Sequence, residues 1–125
     1  MASRQETPSI STVTIGTTTV AVEVVKDDAS RQQGLSGRTS LAEGYGMLFV
    51  FEEEGNWGMW MKDMNFPIDI IWAAKDGTIV TIEKNVSPDT YPNSFHPREP
   101  ALYVLEVPAD FAERHNIAVG NNIVL

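Results

Sequence analysis

The chain has 125 residues, 42% hydrophobic and 21% charged, with 9 Lys and Arg against 17 Asp and Glu for a formal net charge of -8. This length fits one domain with a buried core, and the acidic balance argues against nucleic acid or an anionic membrane surface as partner, because both are held by clustered basic side chains. There is no cysteine, which excludes disulfides, thiolate zinc sites, iron–sulfur clusters and cysteine nucleophiles.

Residues 1–9 are polar and are expected to form a flexible N-terminal tail ahead of a single β-rich domain over residues 10–125. No apolar run reaches the roughly 18–20 residues that span a bilayer, so the chain reads as soluble, with no transmembrane segment. Residues 12–15 and 18–25 are rich in β-branched side chains and predict a hairpin across Gly16-Thr17, with Val20, Val22 and Val24 on one face. Asp27, Asp28 and Ser30 then offer N-caps for a short helix that ends near Gly34.

Residues 46–51 are continuously apolar and too short for a helix, which predicts a strand buried on both sides. Residues 52–56 read as an acidic loop. Residues 57–61 and 68–74 are the next strands, separated by Pro67. Lys75-Asp76-Gly77 is a strong hairpin signal leading into a strand over 78–84. Residues 86–100 hold four prolines and no periodicity, and predict a long ordered loop.

A strand is expected over 101–107, then a short helix over 108–115 with Phe111 and Ala112 facing inward. Residues 117–125 should close the domain as a strand or pair around Gly120-Asn121-Asn122. Short segments with frequent turn residues define the class: mainly β, a compact β-sandwich or barrel-like single domain with one or two short helices.

Three of the five methionines and two of the three tryptophans fall within residues 57–69. Thioethers are soft ligands suited to Cu(I), so Met59, Met61 and Met64, with His96, form one candidate site; the competing reading is core packing. Asp69 and Glu106 are carboxylates inside strands that are apolar on both faces, and buried carboxylates demand partners. Arg31, Arg38 and Lys62 are available. The set could be the polar floor of a cleft, an acid/base pair, or a structural ion network.

No G-x-S-x-G, H-E-x-x-H, phosphate-binding loop or G-x-G-x-x-G motif is present, and His96 and His115 are the only histidines. No catalytic residue, metal or cofactor is assigned on this basis, and the balance leans away from an enzyme.

Five ordered blocks carry a family resemblance: Arg31-Gln32-Gln33-Gly34-Leu35-Ser36-Gly37-Arg38, Gly46-Met47-Leu48-Phe49-Val50-Phe51, Trp60-Met61-Lys62-Asp63-Met64, Pro67-Ile68-Asp69-Ile70 and Pro100-Ala101-Leu102-Tyr103-Val104-Leu105-Glu106. Over residues 20–125 the chain resembles the widespread prokaryotic domain-of-unknown-function family 192. The resemblance implies a compact β-sandwich-like domain with short helices, often placed behind a signal peptide or lipid anchor, hence a periplasmic or extracellular setting. It carries no activity. Its characteristic polar positions fall on Arg31, Arg38, Lys62, Asp69 and Glu106. Ser36 departs from the family's usual Met, Asp63 from Asn, and Asn121 stands where Gly is usually followed by Asp.

The leading expectation is a non-catalytic small-ligand-binding or accessory domain. Its polar cleft would lie near Trp60, Lys62 and Asp69, with Arg31, Arg38 and Glu106 completing the binding set around a small polar ligand such as a sugar. The alternatives are a carboxylate-dependent hydrolase using Asp69 and Glu106, and Cu(I) binding through Met59, Met61 and Met64.

Overall fold

Residues 9–125 are described by the structure, a computed structural model; the expected N-terminal tail lies outside them apart from Ser9, which opens β1. β1 (Ser9–Ile15) and β2 (Thr18–Val25) form the expected hairpin, with Gly16 at φ 61 supplying the left-handed turn position. The Asp27 side chain accepts the Ser30 N–H at 2.7 Å and starts α1 (Asp28–Gln33), which Gly34 ends.

α1 is the crossover that lets β3 (Tyr45–Gly55) return parallel to β2; every other pairing in the sheet is antiparallel. β5 (Ile68–Ala73), β6 (Ile79–Val86), β8 (Ala101–Pro108) and β9 (Ile123–Val124) complete seven strands in the order β6-β5-β8-β3-β2-β1-β9.

The sheet curls until its two edges touch. Thr78 bridges Asn122, the Ile79 N–H donates to the Asn121 carbonyl at 2.8 Å, and the Ile123 N–H donates to the Gly77 carbonyl at 2.8 Å. The result is a half-barrel within a single mainly β domain, in the class expected. Among the described residues no helix is long and apolar enough to cross a membrane.

Side chains alternate across each strand, so one sheet supports two cores. Val13, Val20, Val22, Leu48, Ile71 and Leu105 belong to the first, which α2 (Phe111–Arg114) covers through Phe111 and Ala112. Met47, Phe49, Ile70, Trp72 and Val104 belong to the second, together with Leu35 just after α1 and Met61. Being covered on both faces explains why β3, β5 and β8 are apolar at successive positions.

Two expectations need correction. Residues 52–55 of the expected 52–56 loop are strand: β3 runs on to Gly55 through a register shift between Val50 and Gly55, then pairs again at Ala101. Their acidic side chains are exposed, and Glu54 Oε2 accepts the Lys75 N–H at 2.7 Å. Residues 86–100 are likewise not one plain loop. They hold a 3-10 turn (Pro88–Thr90) and β7 (Ser94–Phe95), which pairs with β4 (Met59–Trp60) in a second, two-stranded sheet. Strands of two residues are too short to show a period in sequence.

Candidate functional site

β8 carries Glu106 between Met47 of β3 and Ile70 of β5, its cross-strand partners. Partners in an antiparallel pair project to the same side, so this carboxyl faces the second core. Glu106 is 5% exposed, and that remnant opens onto a cavity of about 220 Å³ walled by Leu35, Phe49, Met59, Trp60 and Met64.

Among the described residues no side chain pairs with this carboxyl and no donor reaches it; burial alone acts on its titration and pushes its pKa up to about 8. At neutral pH it is therefore mostly the neutral acid, able both to donate and to accept a hydrogen bond.

Arg31 lines the same cavity, but its guanidinium is committed elsewhere. It donates to the carbonyls of Lys26 and Val50 (2.8 Å to the latter), pairs with Asp28 at 2.8 Å, reaches Glu52 at 3.4 Å, and lies 4.8 Å from the Phe51 ring centroid. Phe51 in turn stacks on Trp57 at 4.4 Å. This column pins α1 to β3 and so fixes one wall of the cavity.

The opposite wall is set by β4. Trp60 is 47% exposed, borders the cavity, and meets Tyr91 at 5.2 Å between ring centroids. Lys62 Nζ lies 5.7 Å from the Trp60 ring centroid, beside a wider surface depression that Trp60, Gln32 and Ser36 also line. The loop after α1 is stitched to this region by Ser36 Oγ donating to the Lys62 carbonyl at 2.8 Å and the Gly37 N–H donating to the Asp63 carbonyl at 2.9 Å.

The other expected site residues go elsewhere. Asp69 pairs with Val107, one position along from the Ile70–Glu106 pair, and so faces the first core. It is fully buried; Oδ1 accepts the N–H of Asn85 at 2.8 Å and of Asp110 at 3.3 Å, and Oδ2 accepts the N–H of Ala112 at 2.8 Å. Asp69 anchors the start of α2 and takes no part in a cleft with Trp60 and Lys62.

With Asp69 and Glu106 on opposite faces of the sheet, the expected acid/base pair does not form. Arg38 makes a two-pronged pair with Glu23, at 2.9 and 2.7 Å, and this pair holds the Glu23 carboxyl below its ordinary range. That pair borders a separate surface groove with Tyr45 and Leu41.

Of the four soft-metal candidates, Met59 and Met64 line the cavity, Met61 is buried in the second core, and His96 is exposed against the backbone of Gly58. The structure therefore brings together Arg31, Trp60 and Glu106, with Lys62 on the outer side of Trp60. Sequence reasoning did not single out the walls Leu35 and Phe49 or the neighbour Tyr91. The first two sit in quoted blocks, where an apolar wall reads like any core residue.

Fold and site together define a small half-barrel domain whose second core borders an open cavity lined by a carboxyl group. The chain belongs to the family DUF192, described as "Uncharacterized ACR", whose model matches residues 11–125. Among solved structures it is similar to a protein described as a candidate transcription regulator from Sinorhizobium meliloti. That match has 32% identity, covers 97% of both chains and reaches a TM-score of 0.90. A protein of unknown function from Novosphingobium aromaticivorans is similar at 28% identity, over 93% of this chain and 85% of that one, with a TM-score of 0.86. No curated protein matches the chain.

Proposed function

We propose that the chain is a small-ligand-binding domain and that its ligand occupies the cavity above Glu106. One observation carries this reading: a carboxyl group that is almost fully buried, opens onto a cavity, and has no partner among the described residues. Such burial opposes folding, and because the carboxyl oxygens are open only towards the cavity, their hydrogen-bond partners are whatever fills it. Asp69, on the neighbouring strand, is the contrast within the same fold, because all its demands are met by backbone N–H groups.

The lining fits the reading. It combines apolar and aromatic walls (Leu35, Phe49, Phe51, Met59, Trp60, Met64) with a few polar groups (Gln32, Gln33, Ser36 and Glu106), the usual composition of a small-molecule site. A cavity of about 220 Å³ has room for many more than one water, which suits a small metabolite. The only other charged lining residue among those described is Arg31, already bound to carbonyls and carboxylates, so Glu106 has no acid/base partner there. Binding is favoured over hydrolysis for that reason. The proposal keeps Arg31, Trp60 and Glu106 from the expected binding set, with Lys62 at the rim, and leaves out Asp69 and Arg38.

A fragment screen on methyl-labelled methionine tests this. Binding fragments should shift the Met59 and Met64 methyl signals and the Trp60 indole N–H, and Ser36→Phe, which intrudes on the lining, should weaken them. Fragments that move none of these three signals, or that act only at the groove beside Arg38 and Tyr45, would overturn it.

A further inference from the structure

The ligand class follows from the charges that face the cavity, and it rests on the binding reading above. Arg31 and Glu106 are the only charged lining residues among those described. The Arg31 guanidinium is offset by Asp28 and Glu52 and tied to backbone carbonyls. The groups flanking Glu106 on the adjoining strands, Met47 and Ile70, are apolar, and so are Phe49, two residues along β3 from Met47, and Leu35, just after α1. One acid with no ionic partner therefore sits in a cavity whose other lining is apolar and aromatic around the carboxyl, with the uncharged Gln32, Gln33 and Ser36 also on its wall.

The walls have a matching preference. Phe49 and Trp60 present aromatic groups, whose faces attract cations, and Met59 and Met64 add polarizable thioethers. Lys62 already places its ammonium 5.7 Å from the Trp60 ring centroid, and Arg31 its guanidinium 4.8 Å from the Phe51 centroid. We infer that the cavity binds a small organic amine as its ammonium form, with the charged nitrogen on Glu106 and the apolar body between Phe49 and Trp60. A carboxylate of the same shape could pair only with the protonated acid, so its affinity would fall as pH rises, opposite to the amine. An alcohol could share a hydrogen bond with Glu106 but would gain nothing from its charge.

The proton balance is definite. Burial keeps the empty site protonated at pH 7, since Glu106 titrates at about 8. An incoming ammonium ion displaces that proton to solvent, so one proton leaves for each amine bound. Amine affinity therefore rises with pH through the neutral range, by about ninefold from pH 6 to pH 7, and levels off above about pH 8.

Benzylamine, benzyl alcohol and benzoate form a matched set for titration calorimetry and methionine-methyl NMR on the full chain and on Glu106→Gln. Benzylamine should bind at least tenfold more tightly than the alcohol at pH 8 and release close to one proton at pH 7, while any benzoate binding should weaken about tenfold from pH 7 to pH 9. Glu106→Gln should abolish both the preference and the proton release while still binding the alcohol. Equal binding of amine and alcohol, or a preference that survives Glu106→Gln, would overturn the amine assignment and leave the cavity reading intact. Failure of all three probes to move the Met59, Met64 and Trp60 signals would overturn both.

Discussion

Replacing Glu106 with Gln keeps the side chain's shape and removes its titration, and the variant should gain stability over the wild type as pH rises. Burial lifts this carboxyl from the ordinary 4.5 to about 8 in the folded chain. Between those values the folded state holds a proton that the unfolded chain has lost, so unfolding becomes easier with pH by about 1.4 kcal/mol per unit. Below 4.5 both states are protonated and nothing is lost; above about 8 both are ionised and the loss is constant. At pH 7 roughly 2.5 units of that interval have been crossed, which makes the destabilisation about 3 kcal/mol, against less than about 1 kcal/mol at pH 5. Urea unfolding of both proteins from pH 5 to 8, followed by tryptophan fluorescence, measures the difference. It should widen steadily from pH 5 to pH 7. A constant offset of either sign would refute the reasoning, because it would mean that Glu106 does not hold its proton in the folded chain.

Two further predictions concern the frame around the site. Asp69→Ala strands the N–H groups of Asn85 and Ala112, whereas the Asp110 N–H keeps the Asn85 Oδ1 acceptor at 2.8 Å. Two orphaned donors at about 1–3 kcal/mol each put the cost near 4 kcal/mol, and a measured loss below about 1 kcal/mol contradicts the anchoring role. Gly77→Ala puts a Cβ into the Ile123 carbonyl at a residue with φ +92. It should cost about 2 kcal/mol and speed amide exchange at Ile123; protection at Ile123 unchanged would show that the edges of the sheet meet by other means.

Much of the architecture was legible because it is written in local chemistry. The Gly16-Thr17 turn, the Asp27 cap, Gly34 at the end of α1 and the inward Phe111 and Ala112 all appear where turn residues, caps and spacing put them. The doubly apolar β3, β5 and β8 correctly implied cover on both faces.

What local chemistry does not encode is pairing at a distance. The β4–β7 contact joins residues more than thirty apart and leaves no period to read. The extension of β3 through Glu52, Glu53 and Glu54 is hidden because three adjacent acids look like a loop, although a register shift lets them stay in a strand. The same limit governed the site. Arg31, Trp60 and Glu106 were named, but whether the six expected site residues converge depends on strand register, and register sent Asp69 to one face and Glu106 to the other.

That divergence bears on how buried carboxylates should be weighed. Asp69 and Glu106 lie on paired strands, both almost without exposure, and from composition alone either could be structural or functional. Their partners separate them. Asp69 receives three backbone N–H groups and ties the end of β6 at Asn85 to the start of α2, so both of its oxygens already have protein partners. Glu106 receives none among the described residues and faces open volume. A structural role would be served at least as well there by an apolar residue of similar size, since removing a buried carboxyl with no protein partner removes the cost of keeping it protonated and desolvated. The Glu106→Gln profile reads this distinction directly: a stability gain at neutral pH together with lost amine binding identifies a residue held at the expense of the fold for the sake of its ligand.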